Sequence, residues 1–201
     1  MKYSEFLVSV KKFNEKLKKL DKNKKSKLSE CRITASDSLN CEIKIIIDRI
    51  EKELREFVKT QTTLIKLFKE NKQQKLIKKL ARKLIITFIK LQLDIKDFFI
   101  HTNIFLDTLH RIVKIIYGKQ DETYYEFEKK MKRFDDFTKK RNQIIHMLAM
   151  VKFTNTENGK LGFDIPKSFN STWGSKTVKS VDDFIEGTLE DLAKILDYLN
   201  Q

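Results

Sequence analysis

Residues 76–117 read LIKKLARKLIITFIKLQLDIKDFFIHTNIFLDTLHRIVKIIY and contain neither glycine nor proline before Gly118. Apolar residues recur there at intervals of three and four, which predicts a single amphipathic helix of over forty residues, roughly 60 Å long. Gly118 suits the left-handed residue that closes such a helix. Upstream, Ile43, Ile46, Ile47, Ile50, Leu54, Phe57, Leu64 and Phe68 form the stripe of a second long helix beginning near residue 39. Ser38 or Asn40 can cap its start, and the polar run 71–74 can end it. Two long helices joined by a short polar turn make an antiparallel hairpin, the start of a bundle.

The flanking segments extend this pattern. Phe6, Val10, Phe13, Leu17 and Leu20 place an amphipathic helix over residues 3–20, and residues 21–38, without clear periodicity, read as a loop. After Gly118, Asp121 and Glu122 open a helix at its positive end, with Tyr125, Phe127, Met131 and Phe134 as apolar contacts. Residues 151–173 change character: two strand-like runs flank Asn158-Gly159, with Pro166 closing the second, as in a small hairpin. Ser180 with Asp183 resembles a capping box, and Ile185, Leu189, Leu192, Leu196 and Leu199 carry a stripe through the final helix. That helix is expected to pack back on the bundle, with dimerisation as the alternative. The expected fold is all-α: an antiparallel helical bundle with two long central helices and a small β-hairpin or irregular insertion before the C-terminal helix. One domain, 1–201, accounts for the length, with 1–38 as N-terminal helix and loop and 151–178 as insertion.

Composition narrows the function classes. Five glycines and one proline in 201 residues, with 40% hydrophobic and 35% charged side chains, fit long amphipathic helices. Cys31 and Cys41 are too few for a disulfide framework, and no Cys/His spacing indicates zinc. No secretory or membrane segment is expected: Glu5, Lys11 and Lys12 interrupt the N-terminus, and Lys90, Asp94, Lys96 and Asp97 interrupt the most apolar run, 84–100. A cytoplasmic protein without a cofactor is the expectation.

The net charge of +14 is concentrated in the first part: residues 1–120 hold 29 basic and 14 acidic side chains, residues 121–201 hold 13 and 14. Such a surface attracts polyanions, although lysines solvating helix faces account for it equally well. The densest basic cluster lies at the hairpin tip, where Lys69, Lys72, Lys75, Lys78, Lys79, Arg82 and Lys83 stand against Glu70. Of these, Lys72, Lys75, Lys78, Lys79, Arg82 and Lys83 are the candidate nucleic-acid-binding residues, holding phosphates without reading bases. Aromatic interleaving is absent there. His101 pairs with Asp97 and His110 with Asp107 at helical spacing, but the two histidines lie on opposite sides of one straight helix, so no metal site is expected.

Residues 138–147, TKKRNQIIHM, carry the candidate chemistry. On a helix Asn142 and His146 share a face, with Arg141 beside them on a side chain long enough to reach across. Guanidinium binds phosphate oxygens, and imidazole transfers protons near neutrality. The alternative is structural: Ile144, Ile145, Met147 and Leu148 bury an apolar face, and His146 is then a satisfied interface histidine.

Arg141-Asn142-Gln143-Ile144-Ile145-His146 resembles the R-x4-6-H motif of the HEPN superfamily, all-α proteins that include ribonuclease toxins and abortive-infection proteins. The aromatic-rich stretch 98–109 is similar to the helix preceding that motif. The resemblance covers roughly residues 75–150 and the closing helix. It implies a metal-independent endoribonuclease toxin or phage-defence component, acting as a homodimer that joins two motifs, with Arg141, Asn142 and His146 as catalytic residues and RNA as substrate. A nucleotidyltransferase-type antitoxin is the implied protein partner. The rival expectation is a non-catalytic HEPN-like module that binds a nucleotide or a partner; a third is a basic helical scaffold for nucleic acid.

Overall fold

The computed structural model describes residues 3–30, 42–70, 74–135, 152–155, 161–164 and 180–201. In chain order these form α1 (Tyr3–Lys18), α2 (Lys22–Glu30), α3 (Glu42–Lys69), α4 (Gln74–Tyr117), α5 (Glu122–Met131), a 3-10 turn (Lys132–Phe134), strands β1 (Lys152–Asn155) and β2 (Leu161–Asp164), and α6 (Val181–Asn200). The fold is an all-α helical bundle. It packs as two compact units, residues 41–101 and residues 1–40 with 102–201.

In the unit 41–101, α3 and the first part of α4 run antiparallel. Contacts that rise along α3 fall along α4: Arg49 meets Asp94 and Asp97, Glu53 meets Lys90, Phe57 meets Phe88, and Glu56 meets Lys83. The stripe expected on α3 is buried at Ile43, Ile46, Ile47, Ile50, Phe57 and Leu64, and α4 contributes Leu91, Ile95, Phe98 and Phe99. Each such side chain stabilises the fold by about 1.5–3 kcal/mol on burial. Phe68, assigned to the same stripe, is exposed beside the end of α3. The expected caps Ser38 and Asn40, and residues 71–73 of the connecting turn, lie outside the described residues.

α4 is one helix of 44 residues, about 66 Å at 1.5 Å per residue. It stops where the sequence indicates: Gly118 has φ 76, and its N–H donates to the Lys114 carbonyl at 3.0 Å. A side chain there meets the left-handed backbone penalty that glycine avoids.

In the other unit α1 and α6 lie side by side. Phe6, Phe13 and Leu17 of α1, Leu109, Ile112 and Val113 of α4, and Leu189, Leu192, Leu196 and Leu199 of α6 are all buried, and Phe6 meets Phe105 with ring centroids 5.6 Å apart. Polar contacts set the register of α1 on α6: Ser9 Oγ donates to Asp197 Oδ1 at 2.6 Å, and Asn200 Nδ2 donates to the Ser9 carbonyl at 3.2 Å. Lys16 Nζ donates to the Leu199 carbonyl at 2.6 Å, placing a cation on the negative end of α6. The stripe of the final helix is thus buried within its own chain. Its start is capped as the sequence indicates, the Asp183 N–H donating to Ser180 Oγ at 3.1 Å. β1 and β2 pair antiparallel from Lys152 opposite Asp164 to Asn155 opposite Leu161, and Gly162 bridges to Ser180. Asn158, Gly159 and Pro166 lie outside the described residues.

Two further expectations require correction. Residues 22–30 are helical, not loop: Asp21 Oδ1 accepts from the Lys24 N–H at 2.8 Å as an N-cap, and Leu28 is buried. One apolar anchor leaves no periodicity to read. Tyr125 is exposed rather than packed, because two residues on a helix rotate it by about 200° from buried Phe127. Tyr124 takes the inward-leaning position instead.

Candidate nucleic-acid interface

Lys75, Lys78, Lys79, Arg82 and Lys83 project from the first three turns of α4 because helical spacings of three and four keep them on adjoining faces. They line a groove of about 1050 Å³ shared with Lys52, Glu53 and Glu56 of α3 and with Lys90 further along α4. The two glutamates neutralise part of the cluster. Glu56 pairs with Lys83, whose hydrogen bond and charge hold the carboxyl below the usual carboxylate range. Glu53 stands 4.0 Å from Lys90. Lys75, Lys78, Lys79 and Arg82 form no ion pair with another described residue. Lys52 of α3 likewise forms no ion pair with another described residue, so the groove presents five unneutralised cations to a polyanion. Lys72, the sixth candidate of the tip, lies outside the described residues, as do Arg141, Asn142 and His146.

Toward the other end of the same hairpin, Arg49 holds two carboxylates. Its Nε lies 2.9 Å from Asp94 Oδ1 and its Nη2 2.9 Å from Asp97 Oδ2. Burial pushes the Asp94 carboxyl above its usual range, and the Arg49 charge offsets this only in part. This arrangement locks α3 to α4 and leaves no cation over for a ligand.

In the unit containing α5, His110 accepts or donates through Nε2 to Tyr124 Oη at 3.0 Å and also meets Glu128 Oε1. Its ring stacks on Phe127 with centroids 6.1 Å apart. Burial, followed by the hydrogen bond and charge of Glu128, pushes the Tyr124 hydroxyl up. His110 is therefore a polar clamp between α4 and α5. The sequence places His110 at an interface or core edge, but not against these partners, which lie 14 and 18 residues away. Among the described residues no group of three or more His, Cys, Asp or Glu side chains is placed to hold a metal ion, and no helix is long and apolar enough to cross a membrane.

No family model, curated protein or solved structure matches the chain.

Proposed function

We propose that the chain is a metal-independent endoribonuclease of the HEPN type, a toxin or phage-defence component that cleaves RNA by attack of its own 2′-hydroxyl. The groove supports this reading from the described residues: Lys75, Lys78, Lys79 and Arg82 are held on one helix without carboxylate partners, the arrangement that tracks a phosphate backbone without selecting bases. The motif supplies the chemistry. One His146 takes the proton of the 2′-hydroxyl as its oxygen bonds to phosphorus; a second His146, from a second copy of the chain, protonates the departing 5′-oxygen as its bond to phosphorus breaks. Arg141 stabilises the negative charge of the phosphorane, and Asn142 orients the imidazole. The products are a 2′,3′-cyclic phosphate and a 5′-hydroxyl.

Purified protein incubated with a single-stranded RNA tests this reading. Cleavage with cyclic-phosphate ends, unaffected by EDTA and abolished by His146→Ala and by Arg141→Ala at unchanged helicity, is the expected result. Cleavage that survives both substitutions, or stops with EDTA, refutes it. Tight RNA or nucleotide binding without turnover returns the chain to a non-catalytic binding module.

A further inference from the structure

The outward side of α4 carries a row of apolar side chains that the chain leaves in solvent. Ile85 is 59% exposed, Ile86 55%, Ile89 49% and Leu93 54%. Single exposed aliphatics are ordinary, but Ile85, Ile89 and Leu93 follow one another at four-residue intervals, a continuous ridge about 12 Å long with Ile86 beside it. A ridge at that spacing fits between the side chains of another helix.

The charges around the ridge specify the partner. From Gln74 to Leu93, α4 carries Lys75, Lys78, Lys79, Arg82, Lys83 and Lys90 and no carboxylate. Lys78 precedes Ile85 by seven residues, Arg82 precedes Ile89 by seven and Lys96 follows it by seven, beside Asp97, whose carboxylate Arg49 holds, so each end of the ridge carries a cation. We propose that this face of α4 is a docking surface for an acidic amphipathic helix of another protein, its apolar stripe on Ile85, Ile89 and Leu93 and its carboxylates toward Lys78, Arg82 and Lys96.

Other occupants fit the charges less well. Antiparallel pairing of two α4 helices about Ile89 sets Arg82 opposite Lys96, cation against cation. The acidic helix of this chain, α6, already buries its apolar stripe. The remaining stretches of the chain are not acidic: residues 136–151 have Asp136 against Lys139, Lys140 and Arg141, and residues 165–179 have Lys167, Lys176 and Lys179 with no carboxylate. A bilayer favours a broader apolar face with aromatic anchors, and this ridge is all Ile and Leu.

The inference does not require nuclease activity, although Lys78 and Arg82 also line the groove assigned to RNA. The probe is a labelled synthetic peptide with leucines at heptad a and d positions and flanking glutamates, titrated with the full chain in fluorescence anisotropy; a second peptide replaces every glutamate with lysine. The expected result is binding of the glutamate peptide at least about tenfold tighter than the lysine peptide. Ile89→Ser with Leu93→Ser should abolish that binding, and Lys78→Glu with Arg82→Glu should reverse the preference, both at unchanged helicity. No binding of the glutamate peptide, or equal binding of the two, overturns the proposal. So does loss, in the serine variant, of wild-type dimerisation in sedimentation or of binding to phosphatidylserine vesicles.

Discussion

Replacing Lys78 and Lys79 together by glutamine removes two of the five groove cations that lack a carboxylate partner among the described residues, and the consequence for RNA affinity is calculable. Each phosphate neutralised on a single strand contributes about 0.7 to the slope of log affinity against log salt, so Lys52, Lys75, Lys78, Lys79 and Arg82 together predict a slope of about −3.5. Raising salt from about 50 to about 200 mM should then weaken binding by roughly 130-fold. In the Lys78→Gln, Lys79→Gln variant the slope should fall to about −2.1 and the same salt step should cost only about 18-fold. Glu56→Gln acts in the opposite direction. It releases Lys83 from its ion pair, and the slope should steepen to about −4.2. Anisotropy titrations of a 2′-O-methyl oligonucleotide, which lacks the attacking hydroxyl, measure all three slopes without cleavage. A slope that is the same in wild type and in the double glutamine variant would show that the groove does not carry the phosphates.

Further predictions concern stability. Burial keeps the Asp94 carboxyl protonated to higher pH in the folded chain than in the unfolded one, so its contribution is complete below the unfolded pKa and is lost as pH rises through the folded one. At pH 7 the Asp94 charge is therefore a net cost: Asp94→Asn should leave urea stability equal or higher, whereas Arg49→Met, which strands that charge, should lower it by about 1–2 kcal/mol, discounted because Arg49 is half exposed. A larger loss in Asp94→Asn than in Arg49→Met would contradict this. Two glycines should respond with opposite signs, since an added Cβ meets no atom within 4 Å at either. Gly118→Ala should cost about 1 kcal/mol or more, from its φ of 76, while Gly187→Ala, inside α6, should stabilise by about 0.5–1 kcal/mol in thermal or urea unfolding. Ser180→Ala removes the N-cap of α6 and should cost about 1 kcal/mol by the same measurement.

The local grammar of the chain was readable residue by residue. The spacing of Ile43, Ile46, Ile47 and Ile50 named the buried face of α3, Gly118 ended α4, and Ser180 began α6, because periodicity, left-handed backbone and N-capping are each decided within a few neighbouring residues. The cationic tip of the hairpin was equally evident, being a run on one helix. Which of its cations remain available was not. That depended on Glu56 reaching Lys83 and Glu53 approaching Lys90, pairings across 27 and 37 residues that exist only once α3 lies antiparallel on α4. The clamp of His110 on Tyr124 and Glu128, and the grip of Arg49 on Asp94 and Asp97, arose in the same way from helices meeting. α2 was missed because an N-cap and a single anchoring Leu28 give no period. Sequence alone thus determined where helices start, stop and turn their apolar faces. Tertiary packing decided which charges cancel and which apolar ridge stays bare, because cancellation and burial depend on distance in space rather than on separation along the chain.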